Sequence, residues 1–146
     1  MPVIKPLKIG TNGQIEETTS GDMTNIGQFL THVHLYASGA SPLTVNSSGN
    51  ITEGFAILDR SAFSGSFTAK LRVYGEVQSA GQTGIVTLYE VVGAIVIGTV
   101  NVTATTAGWV EVDVTAGLPA SGRLELELQA KINTTGQTFR LYDAEL

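Results

Sequence analysis

The sequence predicts an all-β fold, a two-sheet antiparallel β-sandwich with an extended N-terminal arm. Three observations carry that prediction. Residues 123–132 alternate without interruption: Leu124, Leu126, Leu128, Ala130 and Ile132 on one side, Arg123, Glu125, Glu127, Gln129 and Lys131 on the other. Side chains switch faces at every residue of a strand, so this is a strand with one dry and one wet face. Similar apolar runs recur, separated by clusters of Gly, Ser, Thr, Asn and Pro. No segment has the 3.6-residue period of an amphipathic helix, so a dry sheet face must be covered by a second sheet.

The chain has 146 residues, a length that suits one domain with a core of its own. It contains no cysteine, which removes disulfides, thiol catalysis and thiolate metal sites. Net charge is −5 and only 14% of residues are charged. The eight Lys and Arg residues are scattered, so no basic tract follows a phosphate backbone and nucleic acid is not the expected partner. The N-terminus lacks the apolar run of a signal peptide, and no segment reaches bilayer-spanning length. The expectation is a soluble protein made in the cytoplasm, with no membrane partner.

Residues 1–28 stand apart from a sandwich domain over 29–146. Pro2 and Pro6 remove backbone donors and favour an extended arm or an edge hairpin. Val3, Ile4, Leu7 and Ile9 are its apolar residues, and the arm either reaches a neighbouring surface or forms an edge of its own sheet. Residues 29–36 read as a strand with Phe29, Val33 and Leu35 on one face and Leu30, His32, His34 and Tyr36 on the other. His32 and His34, the two histidines, have a spacing that permits a shared metal, but no carboxylate lies near them in sequence to complete the set. A polar loop follows, with a short strand at 43–45 and an apolar strand at 54–58. Residues 60–64 turn the chain.

In residues 66–77, Phe67, Ala69, Leu71 and Val73 face inward while Thr68, Lys70, Arg72, Tyr74 and Glu76 face outward. Residues 85–92 and 95–100 flank Gly93-Ala94 as a tight hairpin, the most apolar segment, expected to be central or to face a partner. In 109–114 the valines point inward, and Trp109 shares the outer face with Glu111 and Asp113. The last strand is 139–146. Eight to ten strands are expected in all.

Chemistry is sparse. No GxSxG, HExxH, phosphate-binding or dinucleotide motif occurs. Glu111 with Asp113, and Glu125 with Glu127, sit side by side on strand faces, whereas a glycosidase needs carboxylates across a cleft. These pairs read as solvated faces. Asp143 is a calcium candidate without a recognisable acidic loop to complete the site. Trp109, Tyr89, Tyr74 and Tyr142 are either packing residues or an aromatic sugar platform. The expectation is a non-enzymatic protein without a cofactor.

Two resemblances add to this. Over residues 65–146, the segments 67–73, 108–112 (a Gly-Trp strand opening), 124–128 and 139–146 resemble galactose-binding-like carbohydrate-binding jelly rolls. That resemblance implies a jelly roll, with Trp109, Tyr89 and Tyr142 as glycan-binding candidates. Leu7-Lys8-Ile9-Gly10-Thr11-Asn12-Gly13-Gln14-Ile15-Glu16-Glu17, followed by Ser20-Gly21-Asp22, resembles the openings of tailed-phage virion proteins, among them head decoration proteins. That resemblance implies a virion protein cementing a capsid, its partner the major capsid protein, often as a homotrimer, with Val3, Ile4, Leu7 and Ile9 as contact candidates. The competing expectation is a carbohydrate-binding or tail-associated receptor-binding domain.

Overall fold

The computed structural model describes residues 7–9, 15–17, 33–39, 41–62 and 67–146. The chain divides into two compact units, Met1–Thr31 and His32–Leu146. In the first, β1 (Leu7–Ile9) pairs antiparallel with β2 (Ile15–Glu17), setting Leu7 opposite Glu17 and Ile9 opposite Ile15.

The second unit is a β-sandwich. Its strands are β3 (His34–Ala37), β4 (Leu43–Val45), β5 (Ile51–Asp59), β6 (Lys70–Val77), β7 (Gly84–Glu90), β8 (Ile95–Val102), β9 (Gly108–Asp113), β10 (Arg123–Ile132) and β11 (Phe139–Glu145). Single 3-10 turns occupy Arg60–Ala62 and Thr115–Gly117. One sheet runs β5-β10-β7-β8; the other runs β3-β11-β6-β9, with β4 continuing the β3 edge of β11. Taken from β4 to β11, eight strands thus fill two four-stranded layers, crossing between them at every connection except the β7–β8 hairpin, with first beside last. That order is a jelly roll, two Greek keys wound together. Eleven strands lie among the described residues. The excess over the expected count comes from the short elements β1 and β2, where the sequence left an arm or a hairpin open.

β10 behaves as its alternation predicts. Leu124, Leu126, Leu128, Ala130 and Ile132 are buried, and the strand sits between β5 and β7. Facing it across the sandwich are Leu71, Val73 and Val77 of β6 and Phe139, Leu141 and Ala144 of β11, all with essentially no exposed surface. Phe139 is the largest of them. It packs where two glycines leave room: a Cβ on Gly84 would lie 2.3 Å from its ring, and one on Gly75 would lie 2.8 Å from it. Gly84 belongs to the facing sheet, so Phe139 ties the two layers together.

Three local expectations are corrected. Tyr36 does not share an outer face with His34; it packs partly on the core, as Leu35 does. The register explains this, because Ala144 pairs with Tyr36 while Glu145 pairs with His34, so Leu35 is an extra residue that reverses the alternation. The strand expected from residue 66 begins at Lys70, because Ala69 donates its N–H to Thr115 Oγ1 at 2.9 Å instead of to a ladder. The hairpin over 85–100 divides its strands: β7 is central, but β8 is a sheet edge. Its turn takes in Val91 and Val92, since the buried carboxylate of Glu90 accepts the N–H groups of Val92 and Gly93. The left-handed residue there is Ala94, φ 54°, not Gly93. Phe29, Leu30 and His32 lie outside the described residues.

Candidate functional site

Two outer faces of the sandwich carry features beyond packing. On the five-stranded sheet the ladder fixes the first. Tyr74 pairs with Trp109 on one side and Asp143 on the other. β11 shifts register between Leu141 and Asp143, so Tyr142 and Asp143 together oppose Tyr74. This bulge brings a third aromatic ring to the row. The ring centroids of Tyr74 and Trp109 lie 5.4 Å apart, tilted 41°, and those of Tyr74 and Tyr142 lie 5.4 Å apart, tilted 58°. Trp109 keeps 45% of its surface exposed. The Arg72 guanidinium sits 4.7 Å from its ring centroid, a cation–π contact that holds the indole in place.

Ion pairs frame the strip. Arg72 donates to Glu145 at 2.5 Å and lies 3.5 Å from Glu111, which also receives Lys70. Glu76 accepts hydrogen bonds from Arg140 at 3.1 Å and from the Tyr142 hydroxyl at 3.0 Å. The Arg140 bond, then the Tyr142 bond, hold the Glu76 carboxyl below the ordinary glutamate value, and the same contact with Glu76 raises the Tyr142 phenol. The Lys70 hydrogen bond likewise lowers Glu111, and the Thr115 hydroxyl lowers Asp113.

A depressed folded value means that the folded state releases the proton more readily than the unfolded chain. The stabilisation by Glu76 is therefore complete above the ordinary glutamate value, about 4.3, and is lost as pH falls through the lower folded value. Glu76→Gln is expected to flatten the loss of melting temperature on acidification below about pH 5. An unchanged slope in a series of thermal melts contradicts the assignment.

The second feature is apolar and lies on the outer face of the four-stranded sheet. Phe55 is 71% exposed, Ile57 60%, Val92 75% and Val96 58%. The ladder aligns Phe55, Glu127, Tyr89 and Val96 in one row across four strands. Ile57 lies opposite Glu125, whose carbonyl accepts the Val91 N–H at 2.9 Å. The tract therefore gathers at the end of the sheet where β7 turns into β8. Glu127 accepts hydrogen bonds from Thr52 and from Gln129, which fixes its carboxylate within the row.

Among the candidates from the sequence, Trp109 and Tyr142 come together, bridged by Tyr74. Tyr89 does not join them; it belongs to the other sheet, in the apolar row. Leu7 and Ile9 lie on β1, whereas Val3 and Ile4 are outside the described residues. His34 Nδ1 lies 3.8 Å from Asp143 Oδ1, an oxygen that is buried without a hydrogen-bond partner. No group of three metal-ligating side chains occurs among the described residues. Among the same residues, no helix is long and apolar enough to cross a membrane. Sequence reading left the hairpin that carries Val92 and Val96 as either central or facing a partner, and it missed the exposure of Phe55 and Ile57. Phe55 and Ile57 alternate with Ala56 and Leu58, and an unbroken apolar run does not say which half faces out.

No family model matches this chain, and no curated protein matches it. Among solved structures it is similar to the structure of infectious bursal disease virus Gx strain, with a TM-score of 0.47 and 11% identity over 79% of this chain. The match spans 30% of that viral chain. It is also similar to carbohydrate-binding module CBM36 in complex with calcium and xylotriose, with a TM-score of 0.48 and 19% identity over 80% of this chain and 98% of that one. Both likenesses concern the fold.

Proposed function

We propose that this chain is a non-enzymatic structural protein of a tailed-phage virion, a decoration protein that attaches to the major capsid protein of the assembled head. The observation that carries the reading is the apolar tract of Phe55, Ile57, Val92 and Val96 on one sheet face. Several large apolar side chains exposed on one sheet face mark a face that another protein covers. Glu125 and Glu127 cross the same face, so the complementary surface is apolar with Lys or Arg placed against the two carboxylates. Arg123 and Lys131 share this strand face with the two glutamates, so no single-sign charge dominates it, and the exposed apolar side chains favour protein as the partner. The opening residues resemble those of virion proteins, which supports a capsid as that partner.

Val3, Ile4, Leu7 and Ile9 supply a second attachment in this reading, and assembly as a homotrimer multiplies weak contacts into stable occupancy. Two measurements test it. Deleting residues 1–10 is expected to lower occupancy on empty heads at least ~10-fold in co-sedimentation while the sandwich keeps its melting temperature. Light scattering is expected to return the mass of a trimer. Unchanged occupancy removes the arm from the account, and a monomeric mass removes the trimer.

A further inference from the structure

The geometry points to a second binding site, independent of the capsid reading. We infer that the Trp109–Tyr74–Tyr142 strip binds a neutral oligosaccharide by stacking pyranose rings on its aromatic faces. The strip is continuous: two successive centroid spacings of 5.4 Å carry it across β9, β6 and β11. Trp109 at its end keeps almost half its surface open although it belongs to a regular strand. An indole on a folded surface loses hydrophobic stabilisation by staying in water, and an apolar body with a polar tip suits a ligand that is itself part apolar and part polar.

The surroundings select the ligand class. Arg72 and Arg140 present donors, and Glu111 and Glu76 present acceptors, all fixed by their mutual pairs. A sugar hydroxyl both donates and accepts, so it can use both kinds of group. A proline-rich peptide, which also stacks on such strips, offers mainly carbonyl acceptors and has no use for the carboxylates. Five carboxylates (Glu76, Glu111, Asp113, Asp143, Glu145) outnumber three cations (Lys70, Arg72, Arg140) on the described strands of this face. An acidic sugar is therefore disfavoured and a neutral one is admitted. The sites are also compatible in space: the aromatic strip and the apolar tract lie on opposite outer faces of one sandwich, so a face docked on a shell leaves the sugar face free.

Trp109 is the sole tryptophan of the chain, so its emission reports on the strip directly. The test is an array of neutral and acidic glycans, followed by fluorescence titration of the hits. Expected are hits among neutral glycans, a saturable change in emission, and little loss of binding in 0.5 M NaCl, a concentration chosen to screen ionic contacts. Tyr74→Ala, which keeps the reporter, and Trp109→Ala, read on the array, are each expected to weaken binding roughly 10-fold or more with an unchanged circular dichroism spectrum. Asn101→Ala, on the other sheet, is expected to bind as the wild type does. Trp109→Phe provides a second variant that preserves a ring. An array without neutral hits overturns the inference. So does a response to decaproline with none to sugars, or binding that survives both Trp109→Ala and Tyr74→Ala.

Discussion

Phe139→Ala is expected to lower the free energy of unfolding by about 3–5 kcal/mol, the range for removing a fully buried aromatic side chain. The ring is entirely buried and lies where Gly75 and Gly84 leave space for it. Truncation leaves a cavity lined on two sides by residues with no side chain to swing into it, so collapse is poor and the cost falls toward the top of that range. The same geometry gives the prediction a second, sharper form. Gly84→Ala puts a methyl group 2.3 Å from the ring and is expected to destabilise the wild type by roughly 1–3 kcal/mol. In the Phe139→Ala background the clash is gone and the added methyl fills part of the cavity. The Gly84→Ala change is then expected to be neutral or stabilising. A double-mutant cycle by chemical denaturation reads the coupling, and additive costs contradict the proposed packing.

The second large effect is on attachment. Phe55→Asp with Ile57→Asp is expected to abolish binding to phage heads, weakening it at least ~100-fold while leaving the melting temperature near that of the wild type. Both side chains point away from the core, so replacing them removes little that holds the fold together. In an interface, by contrast, central aromatic and aliphatic anchors dominate the energy, at roughly 2 kcal/mol or more for each hot-spot residue. Each new carboxylate would also have to be desolvated beside Glu125 and Glu127, which the register places opposite Ile57 and Phe55. Repulsion among four carboxylates adds to the lost apolar contact. Equal binding of the double variant and the wild type in co-sedimentation would place attachment elsewhere on the molecule.

Much of the sandwich was legible because strand alternation reports directly on burial. β10 and β6 bury the residues their patterns assign inward, β9 turns its valines partly onto the core, and Trp109 lies on the outer face with Glu111 and Asp113. Legibility failed where alternation was broken or uninformative. The extra residue at Leu35 reversed the assignment of Tyr36, and no local signal announces a bulge that depends on its partner strand. The apolar run of β5 and of the β7–β8 hairpin left exposure undetermined, because an edge strand and a central strand can carry the same composition. Tyr89 was grouped with Trp109 and Tyr142 on residue type alone. Placing it on the other sheet required the topology, as did bringing Tyr74 and Tyr142 together through the bulge of β11.

In the proposed function, the apolar face of the four-stranded sheet seats this protein on a capsid. The most direct measurement is a cryo-electron microscopy map of heads incubated with the purified protein. Expected is sandwich density with Phe55 and Ile57 against the major capsid protein and Trp109 turned to solvent. A map with the Trp109 face against the shell, or heads without added density at saturating protein, would contradict it.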